Sequence, residues 1–443
     1  MALTMEGVIA LAPDDASAKA ARGLTAPSKW PLLGANDLAV WGECQGSGSK
    51  PYQTQVDLSG PAFRCSCPSR KFPCKHGLAL LLIQVQSPQL FQGKDVPAWV
   101  DEWLSSRVEK AQKKEERQTQ KAAVPVDPQA AAKREAQRWQ RMEVAAQELQ
   151  RWLTDQLTSG LGALDVESLK TWQTMAARMV DAQAPGLGMR LRDAAAGVKQ
   201  GEDWPEQTLA RLGMLQLICD AMARRSSLSA PLQAELRTVL GWPHDKADVL
   251  AEGERVHDRW TVLGVATDER DDKLTERRVW LHGEQTGRRA WVLDHAFGGR
   301  GFEQAWLTGT SVECTLAFFP GASALRALAA EVHGPPQCAV WPSTTLNEEW
   351  QRVAKRMAAS PWVNLHPVVI PDAVPCQSGE RLALVADGRS WPLIVRDTDT
   401  WTFLAYSGGH PVQVMGEWNG RALRPLTAWH ATDASAVWQE GVA

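Results

Sequence analysis

The stretch Arg64-Cys65-Ser66-Cys67-Pro68-Ser69-Arg70-Lys71-Phe72-Pro73-Cys74-Lys75-His76 constrains this chain more than any other. Its spacing is Cys-x-Cys, a six-residue gap, then Cys-x-His. Three thiols and one imidazole in so short a span form the ligand set of a closed, tetrahedral structural zinc site. Four-thiol iron–sulfur centres and Rieske centres with a two-histidine set do not match this composition.

The neighbouring residues suit that chemistry. Phe63, Cys65 and Cys67 alternate with Arg64 and Ser66, as at the end of a strand, so Cys65 and Cys67 are expected on one face. Pro68 and Pro73 bracket the return loop. Gly77 to Ile83 is an apolar helix candidate that places Cys74 and His76 at its first turn, where the positive end of the helix dipole favours thiolates. Three thiolates around Zn²⁺ leave about one net negative charge. Arg64, Arg70, Lys71 and Lys75 are close enough in sequence to offset it.

Cys65, Cys67, Cys74 and His76 fill all four ligand positions of the SWIM zinc finger, and residues 36 to 85 resemble that family. The resemblance implies a ββα arrangement, bound zinc, and a role in binding DNA or protein partners. The family occurs in bacterial proteins, transposase-related proteins and plant regulators. Similar bacterial SWIM proteins are associated with AAA+ ATPase systems, which implies such an assembly as a partner.

At 443 residues the chain has room for two or three domains with their own cores. A net charge of −3 rules out a global polyanion binder, so nucleic acid would need a local basic patch. Three of the 8 cysteines lie in the motif; Cys44, Cys219, Cys314, Cys338 and Cys376 are scattered, a pattern that suits a reducing cytosol and free thiols. Met1 to Ala12 lacks the form of a signal peptide, and the longest apolar run, Leu78 to Ile83, is too short to span a bilayer. A cytoplasmic protein without membrane contact is expected. The 21 Trp against 2 Tyr and 8 Phe could serve as base-stacking platforms, but most recur on apolar-periodic faces and read as core.

The expected fold is multi-domain α+β: a small ββα finger, a helical bundle, and a mainly antiparallel C-terminal β region. Residues 1–95 form the N-terminal region with the finger, and 96–128 a polar helical linker. Leu38–Trp41, Tyr52–Leu58 and Pro61–Cys67 read as strands, and Gly46–Pro51 as a turn rather than a phosphate loop. Residues 97–121 look helical, with a domain joint at Ala122–Pro128. Residues 129–245 read as a bundle with apolar stripes Trp139, Met142, Ala146, Leu149, Leu153, Leu157 and Leu209, Leu212, Leu215, Ile218; Asp165 and Pro205 open helices. Residues 250–443 form a Trp-rich β region, a sandwich or open barrel, with a hairpin across Gly283–Gly287 and one helix over Thr345–Ala359. Its strands include Arg381–Val385, Trp391–Val395, Trp401–Ala405, Val412–Trp418 and Leu423–Trp429. Trp recurs at matching strand positions in both halves of the region, hinting at a repeat.

No hydrolase, zincin or dinucleotide motif occurs in usable context. His257, His282 and His295, near Asp258 and Asp294, read as ordinary strand residues, and Cys314 as core. The sequence thus points to a non-enzymatic zinc protein that binds partners, an adaptor in a larger assembly. The competing class is a DNA-binding regulator whose basic residues Arg64, Arg70, Lys71 and Lys75 touch phosphates.

Overall fold

The computed structural model describes all residues except 1–4, 10, 13–14, 47, 49, 59–61, 70–72, 92–94, 108–126, 272–273, 298–301, 303, 305, 335, 380, 432–436 and 442–443. The N-terminal region begins with two short helices, α1 (Met5–Ile9) and α2 (Asp15–Arg22). An antiparallel meander follows: β1 (Leu32–Ala35), β2 (Ala39–Cys44), β3 (Tyr52–Asp57) and β4 (Ala62–Cys65). Helix α3 (Lys75–Gln86) is buried from His76 through Ile83. A helix that is apolar all round needs cover on every side. Here Val40, Val56 and Phe63 of the sheet and Val8 and Ala21 of α1 and α2 share its core. Each fully buried Leu in such a core contributes about 2 kcal/mol. Gly77 is required for the close approach, because a Cβ there would lie 2.8 Å from Phe63 Cδ1. The expected ββα unit is therefore the centre of a larger sheet-and-helix module.

Residues 98–107 (α4) are helical, with Val100 packed on Ala39 and Trp41, and Arg107 Nε bonds Asp57 Oδ2 at 3.0 Å. The rest of the helix expected up to residue 121, and most of the joint expected at Ala122–Pro128, lie outside the described residues.

The bundle comprises α5 (Pro128–Ser159), α6 (Val166–Asp181), α7 (Pro185–Ala196), α8 (Trp204–Ala223) and α9 (Ala230–Val239). Asp165 caps α6 by accepting the Ser168 N–H at 2.8 Å, and Pro205 stands in the first turn of α8. Trp139, Met142, Leu149, Trp172, Met179, Leu212 and Leu215 fill the core; Leu157, in the last turn of α5, and Leu209 stay exposed. A short α10 (Lys246–Glu252) leads into the β region.

That region contains two barrels of the same connectivity. In the first, β5 (Glu254–Asp271), β6 (Leu274–Gly283) and β7 (Arg289–Phe297) form a meander, followed by β8 (Thr310–Phe318) and β9 (Arg326–Val332). β8 pairs with β5 and β9, and β9 closes the ring by running parallel to β7. A two-residue strand, β10 (Gln337–Cys338), adds to β8, and α11 (Leu346–Ala359) crosses to the second barrel. There β11 (His366–Ser378), β12 (Arg381–Ala386) and β13 (Arg389–Pro392) precede α12 (Asp397–Ser407), β14 (Val412–Trp418) and β15 (Leu423–Trp429). β11 pairs with β14 through its first half and with β12 through its second, and a parallel bridge from Leu393 to Leu423 closes the ring. β16 (Val437–Gln439) extends the edge along β15. Ordered 1-2-3-5-4-1 with a parallel closure, both rings have the connectivity of the OB-fold, the five-stranded Greek-key barrel. The Trp residues do not mark this shared topology: Trp260, Trp280 and Trp291 stand on the first three strands of one ring, and Trp391, Trp418 and Trp429 on the last three of the other.

One expected strand is a helix. Trp401–Ala405 lies within α12, because the buried positions Asp399, Phe403 and Ser407 recur every fourth residue. Asp397 and Asp399 sit at its positive end, and Gly408 ends it at φ 54°. Strands β9, β11 and β16 had no counterpart among the expected elements, and β13 ends at Pro392 rather than running to Val395.

Candidate metal centre

The four ligand residues reach one point from two elements. β4 stops at Cys65, where the Ser66 N–H donates to Gln53 O at 2.9 Å as the last ladder bond; Pro68 has no donor to continue it. Cys67 therefore sits in a bend beyond the strand, not in the strand alternation expected from the sequence. Cys74 is the residue before α3, extended at ψ 161°, and its thiol is not spent on capping the helix. His76 follows in the first turn, as its spacing required.

The one ligand atom each offers lies within 4.8 Å of all the others. Cys65 Sγ is 3.8 Å and Cys74 Sγ 4.0 Å from His76 Nδ1. A tetrahedron with ordinary Zn–S and Zn–N bonds has edges of about 3.6–3.8 Å, so the cluster fits the ion with small adjustments. Thr54 Oγ1 approaches Cys65 Sγ at 3.1 Å, and the Tyr52 ring lies 5.0 Å from the His76 ring. These two β3 residues carry no metal-ligand signature, and only the β3–β4 register brings Thr54 opposite Cys65.

The protein groups at this point are strongly coupled. Hydrogen bonds with Cys65 and Cys74 hold the Cys67 thiol far below its usual range, and the bond to Cys67 pushes Cys65 up. Burial opposes charge on His76, but hydrogen bonds with Cys67 and Cys74 outweigh it and raise its pKa to about 9. A divalent cation resolves this competition by binding thiolates and neutral imidazole together. A zinc ion held by all four residues would have no open position for water, the arrangement of a structural site.

Of the basic residues around the motif, Arg64 and Lys75 are exposed, while Arg70 and Lys71 lie outside the described residues. The histidines of the β region have separate surroundings. His295 faces Glu276 at 3.6 Å, and His257 stacks edge-on with His333. Asp258 accepts backbone N–H bonds from Arg259, Gln285 and Thr286, which pins the β6–β7 turn. Burial holds His282 down to about 3 and raises fully buried Cys314 to about 12. All eight cysteines are free thiols, with Cys44, Cys219 and Cys314 buried and Cys338 and Cys376 exposed.

A sheet that delivers Cys-x-Cys to the start of a helix carrying Cys-x-His defines a small zinc-finger module with a binding role. Residues 52–84 match the SWIM zinc finger, and residues 137–240 match the SWIM-associated four-helix bundle domain. The chain thus carries a SWIM zinc finger and, after it, the four-helix bundle associated with that finger. No curated protein and no solved structure matches it. Among the described residues no helix is long and apolar enough to cross a membrane.

Proposed function

We propose that this protein is a non-enzymatic cytoplasmic adaptor that joins a protein partner, of the AAA+ ATPase class, through its zinc finger. The observation that supports this most is the closed Cys₃His cluster at the start of a fully buried helix. Such a centre stabilises a surface rather than a reaction. The domain division we propose is 1–95 for the finger region, 96–128 for a linker, 129–245 for the bundle and 250–443 for the β region.

A second reading, nucleic-acid binding by the finger, draws on the exposure of Arg64 and Lys75 beside the ligands. With Arg70 and Lys71 included, only two or three phosphate contacts remain after the thiolate charge is balanced. That gives weak binding with a salt slope of about −2. The test is affinity capture from the source cell, with and without nuclease, using the native chain and an Arg64→Glu/Lys75→Glu variant that retains zinc. Nuclease-resistant capture of a protein that the variant loses supports the adaptor reading. Capture that vanishes with nuclease overturns it in favour of nucleic acid.

A further inference from the structure

The first barrel carries a row of side chains on the outer face of its second and third strands. Trp280 on β6 is the register partner of Trp291 on β7, and Trp291 is the register partner of Arg326 on β9. The intervening positions Val279, Leu281, Val292 and Ala327 point into the barrel core, so this row points out. The Trp280 and Trp291 rings stack at 5.6 Å and 18°. Arg326 lies over the Phe319 ring at 4.3 Å, and no ion pair or side-chain hydrogen bond joins its guanidinium to another group among the described residues. Burial lowers its pKa, and the nearby charge of Glu276 offsets that only in part.

This row lines a cavity of about 370 Å³. The loop from Phe319 to Leu325 between β8 and β9 forms one rim, the bundle residues Met189 and Arg190 of α7 another, and Trp362 to Leu365 a third. Arg190 bonds only the carbonyls of Gly186 and Val239, at 3.2 and 3.0 Å, and has no carboxylate partner among the described residues. Glu235 of α9 fixes the rim by accepting the Ser323 N–H at 2.7 Å. The other arginines at the cavity are spent: Arg270 pairs with Glu276, and Arg278 with Glu276, Asp268 and Glu417. The matching face of the second barrel places Ala383 opposite Pro392 and Val385 opposite Ser390, with neither aromatic nor cation in those rows.

We propose that this cavity binds one nucleoside phosphate unit, its base against Trp291 and its phosphate at Arg326 and Arg190. Stacked indoles receive a planar base whatever its edge, and unpaired guanidiniums receive phosphate oxygens. A volume of about 370 Å³ falls at the lower end of the small-ligand range. It suits a single nucleotide, either free or at the end of a strand.

The test is calorimetric titration of the full-length zinc-loaded chain with AMP, CMP, GMP and UMP, with 5′-phosphorylated dA12, and with inorganic phosphate. At least one nucleotide or the strand should bind. Arg326→Gln should weaken that binding about ten- to hundredfold, the loss of one charge-assisted contact, and Arg326→Lys should restore part of it. Trp291→Leu should weaken nucleotides more than phosphate, while Trp401→Leu, at a 71% exposed residue of α12, should bind as the native chain does. Unchanged zinc content and melting temperature control for folding. Tighter binding of a mononucleotide than of dA12 assigns a free nucleotide; the reverse assigns a strand end. The proposal is overturned if neither nucleotides nor dA12 bind at millimolar concentration, if phosphate alone binds as tightly, or if the two Arg326 variants bind as the native chain does.

Discussion

Arg278 and Glu417 stand 139 positions apart and meet in the seam between the two barrels, with Nε and Nη2 donating to the two carboxylate oxygens at 2.8 and 3.0 Å. Trp280 Nε1 donates to the same Glu417 at 2.7 Å, and Asp268 and Glu276 flank the guanidinium. Around them Leu263, Val369, Met415, Leu426 and Trp429 pack into one apolar cluster. At Gly264 a Cβ would lie only 3.0 Å from Leu426 Cβ and Met415 Sδ, so the bulge in β5 at this point lets the barrels close on each other. Burial opposes the charge on Arg278, but Glu417 and Asp268 outweigh it and raise its pKa above the ordinary value.

Removing Glu417 takes away the guanidinium's bidentate partner and the acceptor of the buried Trp280 N–H, while Asp268 and Glu276 stay on Arg278. Glu417→Leu should destabilise the β region by about 3–5 kcal/mol, whereas Arg278→Met/Glu417→Leu should recover much of the loss. Chemical denaturation followed by Trp fluorescence gives both values. A double variant that loses the sum of the two single losses would show that the pair is not coupled.

One zinc per chain is expected by elemental analysis, and Cys65→Ser or Cys74→Ser should remove it. Loss of the ion should unfold the finger while leaving the helical signal of the bundle, since metal binding and folding are one event only where the ligands lie. Circular dichroism with a chelator measures this; a collapse of the whole helical signal contradicts it.

Thr54 tests the support behind the ligands. Its hydroxyl sits 3.1 Å from Cys65 Sγ and can donate to the thiolate. Thr54→Val removes that donor at nearly constant volume, and zinc affinity should fall about tenfold. Competition with a chromophoric chelator reads the change.

His366 gives a pH signature away from the metal. It is 3% exposed, its Nδ1 has no partner among the described residues, and burial, with Arg356 adding to it, lowers its pKa from 6.5 to about 4 despite a bond to the Val363 backbone. Because the folded pKa is depressed, the unfolded chain takes up the proton first. Stability should therefore fall as pH drops from about 6.5 to 4, by about 2–3 kcal/mol for this group. His366→Phe should flatten that part of the pH profile of the unfolding free energy; an unchanged slope there would falsify the assignment.

The candidate zinc ligands were legible in the sequence because Cys-x-Cys and Cys-x-His are local spacings, one at and just past a strand end, the other before and within a first helical turn. The bundle was legible for a similar reason: Met142, Leu149 and Trp172 recur at helical spacing, and Asp165 is a cap. Trp401–Ala405 misled because five apolar and β-prone residues carry no period long enough to separate strand from helix. The four-residue spacing of Asp399, Phe403 and Ser407 is what marks the helix. Barrel closure lay beyond any local pattern. That β9 runs parallel to β7, and that Leu393 meets Leu423, are facts about strands distant in the chain. The same holds for the outward row Trp280, Trp291 and Arg326: each residue alone looks like core or surface. Strand register sets them side by side, and the packing of α7 and the Phe319–Leu325 loop around them makes a cavity of that row. Ligand spacing and helical period are short-range and are written in the order of residues. Register, closure and the pairing of Arg278 with Glu417 depend on which distant surfaces bury each other, and only the folded chain decides that.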